Sequence, residues 1–210
     1  MEFQQFITKF SSAELQLYGE FSHKKMIPIE RNNLLKNSNL EIPKQAAVSM
    51  LFYPKDEQTF FVLILRTAIG VHSSQVAFPG GKFEKEDKDL SQTARRETEE
   101  EIGVSENKIK VIKEFSKVFI PVSNFEVTPF LCVSEQPLEF NLQESEVREV
   151  FEIPIEMLLS SNNMGTQVLD TSYGKSIEVP VFDFNGLKIW GATAMMLSEL
   201  KDSLADVFKI

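Results

Sequence analysis

An α+β or sandwich architecture is what this sequence predicts, on three observations. Apolar runs of strand composition outnumber helical stretches, they do not alternate regularly with helices, and turn residues punctuate them. The 210 residues carry a formal net charge of −9, with 42% hydrophobic and 25% charged positions, which is the composition of an ordinary globular chain. That length supports one core with an extension. The expected division is a helical N-terminal extension over 1–43 and a main domain over 44–210.

Residues 1–43 mix apolar and charged positions at helical spacing in "FQQFITKF" and "AELQLYGEF", predicting one or two helices and an irregular lead-in. "AAVSMLFYP" (46–54) and "TFFVLILRT" (59–67), joined by the charged turn "KDEQ", predict an antiparallel pair. "QVAFPGG" (75–81) is a short strand ended by Pro79, Gly80 and Gly81. A helix follows over 90–102: Asp89 is its N-cap, Gln92 completes a capping box three residues on, and Gly103 is its C-terminal stop. Strands are expected at 108–120 and 126–135 with "PVSN" between them, then up to Ile153, with Pro154 in the first turn of a short helix. "GTQVLDT", "SIEVPVFDF" and "LKIW" are late strands, and 191–208 is an amphipathic helix.

Composition excludes several classes of function. Acidic residues outnumber basic ones by 31 to 22, so no general nucleic-acid affinity is expected. The single cysteine, Cys132, excludes an internal disulfide or thiolate zinc cluster, and His23 and His72 are too few for a histidine metal site. With no signal-like leader and no apolar run of about 18 residues, the expectation is a cytoplasmic protein without a membrane.

The chemistry concentrates in "RRETEEEIGV" (95–104). Helical spacing puts Glu97 and Glu101 on one face, with Glu100 three positions from Glu97. Like charges so placed repel by roughly 0.2–0.5 kcal/mol per pair, a cost that a divalent cation would reverse. Hard oxygen donors on a rigid element suit Mg²⁺ or Mn²⁺. Arg96, four residues before Glu100, can brace one carboxylate with its planar fork. Arg95 and Glu99 are expected to be solvated neighbours. Upstream, "FPGGK" offers Phe78, Gly80, Gly81 and Lys82 as a loop that a phosphate can approach closely. Arg66, at a strand end, is expected to be a second phosphate contact beside Lys82.

This stretch, "GGKFEKEDKDLSQTARRETEEEIGV", resembles the box of Nudix hydrolases, without gaps from Arg96 to Val104. Lys82 and Lys88 stand where the general pattern has Gly and Glu, so one extra residue is accommodated, with Gly81 and Asp87 in those roles; Thr98 replaces an apolar residue. The spacing, with "VAFPGGK", "TARRE", "SNFEVTPF", "EVREVFEIPIEMLL" and "IWGATAMML", is similar to the coenzyme A pyrophosphatase branch, over roughly 44–208. The segment "AIGVHSSQ" departs from that branch: it is one residue shorter, lacks a second arginine and carries Ser74 where a glycine is usual.

The resemblance implies a Nudix-type α/β/α sandwich with a mixed sheet and a loop-helix-loop box. It implies metal-dependent cleavage of a small-molecule diphosphate, with coenzyme A going to adenosine 3′,5′-bisphosphate and phosphopantetheine; ADP-ribose or NADH is the competing substrate, and a catalytically silent ligand sensor the competing class. Glu97, Glu100 and Glu101 would hold the metal. Glu97 or Glu100 inside the box, or Glu146 outside it, would act as base, with Glu149 and Glu144 as weaker candidates. Many Nudix enzymes are homodimers, and segment 1–43 would either form such an interface or cover the sandwich.

Overall fold

Asp56 and Glu57 both adopt positive φ, 49° and 62°, in a two-residue hairpin whose twist matches the strands it joins. In the computed structural model, which describes residues 1–28, 42–67, 75–171 and 174–209, this hairpin connects β1 (Lys44–Lys55) to β2 (Gln58–Arg66). Both strands are longer at the N-terminal side than the apolar runs suggested. The remainder of the lead-in, 29–41, and the segment 68–74 with His72 and Ser74 lie outside the described residues.

Next come β3 (Val76–Ala77), β4 (Gly80–Lys82), α3 (Leu90–Ile102), β5 (Lys110–Glu114), β6 (Val118–Ile120), β7 (Phe125–Val133) and β8 (Val147–Pro154). Before them stand α1 (Phe3–Ser12) and α2 (Glu20–His23); after them come α4 (Ile155–Leu159), β9 (Met164–Thr171), β10 (Gly174–Phe184), β11 (Leu187–Ile189) and α5 (Gly191–Phe208). The expected strand at 108–120 is split: Phe115 turns into the core between β5 and β6, its amide bonded to the Pro129 carbonyl at 2.8 Å. Pro154 precedes α4 as its N-cap rather than lying within its first turn.

Among the described residues, β1–β8 form one sheet in the path β3-β2-β1-β7-β5, with β4 on β1, β6 on β7 and β8 on β2. The β1–β7 pair is parallel and the others are antiparallel, so the sheet is mixed, as expected. Alternation along β1 divides the interior. Ala47, Leu51 and Tyr53 face α3, packing with Ala94, Ile102 and Phe130. Met50 and Phe52 face the other side, with Phe6 of α1, Leu200 of α5 and Phe182 of β10. This is the α/β/α layering, with β9, β10 and β11 forming a small antiparallel sheet beside α5.

The first 28 residues cover the far layer. Phe3, Phe6 and Phe10 are buried, and Phe6 stacks on Phe52 with ring centroids 5.0 Å apart. Each such ring stabilises the fold by about 1.5–3 kcal/mol through burial. Polar bonds strap the next segment to α5: Glu199, fully buried, accepts from the Gly19 amide at 2.7 Å and the Ser116 hydroxyl at 2.6 Å and lies 3.2 Å from His23 Nε2.

Candidate active site

The site is built where β4 passes beneath α3. Asp89 caps α3 by accepting the Gln92 amide at 2.9 Å. Gln92 returns a bond, but to the amide of Lys88 rather than to that of Asp89, so the capping box is displaced by one residue. Gly103 ends the helix in the left-handed conformation, φ 73°. These local devices fix the helix register and hence where each glutamate points.

Gly80 and Gly81 are required by proximity. Gly80 has φ 151°, and a side chain there would collide with the Ala47 carbonyl; a Cβ on Gly81 would fall inside the carboxylate of Glu97. The glycine pair therefore lets the helix carboxylates lie directly on the strand. Glu101 is 1% exposed, with one oxygen accepting the Gly80 amide at 2.8 Å and the other accepting Arg66 Nη1 at 3.0 Å. Glu97 is largely covered and lies 3.0 Å from Arg96 Nη2. Glu100 is 58% exposed and takes one contact from Arg96, at 2.8 Å.

Arg96 does not give Glu100 the two-pronged grip the spacing suggested. That grip goes to Asp87, through Nε to Oδ1 at 2.8 Å and Nη2 to Oδ2 at 3.1 Å, and Nη2 also reaches the Lys82 carbonyl at 3.1 Å. Asp87 further accepts from the Glu84 amide and the Thr93 hydroxyl. Arg96 thus ties the loop between β4 and α3 to the helix, and its hydrogen bond holds the Asp87 carboxyl down at about 2. Thr98 sits buried at the usually apolar position by turning its hydroxyl back to the Ala94 carbonyl at 2.7 Å. Arg95 is half-buried and lies near Glu106, whereas exposed Glu99 accepts the Glu106 amide.

The carboxylates repel one another. Burial pushes Glu101 up to about 7, opposed by Arg66 and the Gly80 amide and reinforced by the charges of Glu97 and Glu146. Glu97 is raised for the same leading reason, with Glu100 and Glu146 adding to it. Glu146 is exposed just before β8 and bonds to neither carboxylate. Glu144 lines a separate depression with Phe140 and Arg148, and Glu149 is an exposed residue of β8.

Among the described residues, no three acidic, histidine or cysteine side chains are assembled as a finished metal cage. The donor set nevertheless fits a hard divalent cation. Its donors are carboxylate oxygens, Gly81 lets the Glu97 carboxylate lie against the strand, and the charge it lacks is positive. Arg66 and Arg96 supply part of that charge in this structure.

A cavity of about 400 Å³ opens beside this loop. Arg66 and Lys82 stand in its wall with Gly80 and Gly81; the rest is mainly apolar, including Val48, Phe125, Trp190 and Met196, and none of its described lining residues is acidic. Phe78 contributes to the wall while buried near Phe61, the ring centroids 6.4 Å apart. Trp190, assigned to a late strand by composition, is instead the extended N-cap of α5, followed by Gly191 at φ 67°. The sequence signal for it was the Trp-Gly pair opening a helix.

The model of the NUDIX domain matches residues 43–169. The chain is 31% identical over 163 residues to Nudix hydrolase 15, mitochondrial, of Arabidopsis thaliana, covering 74% of this chain and 56% of that protein. It therefore spans about half the length of that plant relative. It is 29% identical over 158 residues to the Nudix hydrolase NudL of Photorhabdus laumondii, covering 75% of this chain and 83% of that one. Among solved structures, a Nudix hydrolase from M. smegmatis, RenU, superposes with a TM-score of 0.56 at 15% identity, over 78% of this chain and 87% of that chain, a likeness of fold.

Proposed function

Because the chain belongs to the Nudix family, we propose that it is a metal-dependent pyrophosphohydrolase of a nucleoside diphosphate linked to another moiety, with coenzyme A or its derivatives preferred. The observation that carries the reading is the joining of two unlike surfaces at Gly80 and Gly81. Crowded carboxylates lie on one side; on the other is a cavity with two cations, Arg66 and Lys82, and no acidic residue among its described lining. A diphosphate at the junction meets the cations. The methyl and methylene groups of a pantetheine arm extending inward would meet Val48, Phe125 and Met196, whereas a second ribose offers that wall less apolar surface.

In this reading Glu97 and Glu101 hold Mg²⁺ or Mn²⁺, with Glu100 as a further or outer ligand. The cation, when bound, neutralises the diphosphate and acidifies water. Arg96 keeps Glu97 in place and ties down the Asp87 loop. Arg66 and Lys82 bind and orient the phosphates, and the glycines admit them closely. Glu146 accepts the proton as water attacks phosphorus in line. One P–O bond forms, the bridging P–O bond breaks, and two phosphate monoesters leave.

The test is the initial rate of product release from coenzyme A, NADH and ADP-ribose, each with Mg²⁺ and with Mn²⁺. Coenzyme A should be cleaved fastest, giving adenosine 3′,5′-bisphosphate and phosphopantetheine. Faster turnover of NADH or ADP-ribose would defeat the preference while leaving a diphosphate hydrolase.

A further inference from the structure

Arg66 bonds the buried carboxylate of Glu101 and also stands in the cavity wall. Its Nη1 donates to Glu101 at 3.0 Å and reaches the Gly80 carbonyl at 3.5 Å. The opposite oxygen of Glu101 accepts the Gly80 amide, which the pairing of Gly80 with Val48 keeps in the sheet. The two partners of Glu101 therefore differ. The amide is fixed backbone; the arginine is the tip of a long side chain, 33% exposed against 1% for Glu101, and already part of the cavity wall.

We propose that Arg66 is an exchangeable counter-ion: it pairs with Glu101 until a divalent cation takes that carboxylate, then turns its guanidinium to the diphosphate in the cavity. The inference rests on the metal-dependent reading above. Two cations on one carboxylate repel at short range, and the covered oxygen of Glu101 becomes reachable when Arg66 moves aside. A guanidinium fork suits phosphate as well as carboxylate, so the displaced charge finds a new partner within the same wall. No covalent bond changes; Glu101 passes from guanidinium to metal, and Arg66 from carboxylate to phosphate. Metal binding would thereby prime the anion site, a coupling that is necessarily reciprocal.

An arginine that merely braced Glu101 would behave in the opposite way, because its removal would disorganise the carboxylate. The experiment uses the full chain and needs no turnover. Mn²⁺ binding is followed by electron paramagnetic resonance without substrate, and methylene diphosphonate binding to the Mn²⁺-loaded protein by calorimetry. Arg66→Gln should bind Mn²⁺ about tenfold more tightly and methylene diphosphonate about tenfold more weakly, the scale of one charge-assisted hydrogen bond. Arg66→Lys, which keeps the competing charge, should stay within about threefold of the unsubstituted protein for Mn²⁺. Weaker or unchanged Mn²⁺ binding by Arg66→Gln overturns the exchange, and unchanged diphosphonate binding overturns the turn to phosphate. If the unsubstituted protein binds no Mn²⁺ at millimolar concentration, the metal-dependent reading itself falls, and the exchange with it. Should Arg66→Gln not fold, nitrogen NMR of the unsubstituted protein replaces it: the protected guanidinium signal of Arg66 should be lost when Mg²⁺ is added alone, and its persistence at saturation overturns the proposal.

Discussion

Asp87 and Arg96 are locked by two parallel bonds, Nε to Oδ1 at 2.8 Å and Nη2 to Oδ2 at 3.1 Å. The pair spans the loop leading into α3, so it sets the position of Glu97 and Glu100 relative to Gly81. Asp87→Asn leaves one N–H of Arg96 facing a donor, and should cost about 1–3 kcal/mol of stability. Urea unfolding measures that loss, and metal-dependent turnover should fall at least tenfold. Arg96→Lys should be no rescue, because an ammonium cannot reproduce the planar fork.

The cradle at Gly81 gives a second test. Gly81→Ala places a methyl group inside the Glu97 carboxylate, whereas Gly165→Ala on β9 meets nothing within 4 Å. Gly81→Ala should weaken Mn²⁺ binding, measured by resonance titration, by about tenfold or more, the scale of one displaced charged ligand. Gly165→Ala should match the unsubstituted protein.

How much of this the sequence disclosed depended on how local the determinants were. α3 was legible to the residue because Asp89, Gln92 and Gly103 act within their own turns, and α5 matched its expected span because its apolar period continues unbroken. The Arg96 grip on Asp87 was not legible, since it requires the chain to fold back over a loop that periodicity does not describe. Helical spacing instead directed attention to Glu100. Trp190 was missed for a related reason: the cavity exists only once β1, β7 and the start of α5 are brought together. The break at Phe115 likewise follows from a bond to the distant Pro129 carbonyl.

Cavity character can be tested without disturbing the carboxylates. Ala192 lies in the first turn of α5 and in the cavity wall. Ala192→Asp puts an anion where helix N-termini tolerate one, so the melting temperature should change little. The same charge opposes a diphosphate-linked substrate, and KM for coenzyme A should rise about tenfold, while metal binding is retained; a tenfold change corresponds to about 1.4 kcal/mol. Steady-state kinetics at saturating Mg²⁺ measure it.

The strap on α5 makes stability depend on acid. Burial alone would raise Glu199, but hydrogen bonds from His23, Ser116 and Gly19 outweigh it and leave its carboxyl below the ordinary value. Because the folded value is depressed, this contribution is present above the unfolded carboxylate range and lost as pH falls through the folded value. The urea midpoint of the unsubstituted protein should therefore drop more between pH 5 and pH 3 than that of Glu199→Gln. Equal drops would show that the strap does not depend on the charge.

If Glu97 and Glu101, gathered on Gly80 and Gly81, form the metal site for cleavage of a diphosphate bond, each is needed for metal-dependent turnover. The most direct test is product analysis of coenzyme A incubated with Mg²⁺ or Mn²⁺ and the unsubstituted protein, Glu97→Gln or Glu101→Gln. Adenosine 3′,5′-bisphosphate and phosphopantetheine should appear only when metal is supplied, and either substitution should slow their release by at least about a hundredfold, an increase of roughly 2.7 kcal/mol in the barrier. Full metal-dependent release by Glu101→Gln would contradict the assignment.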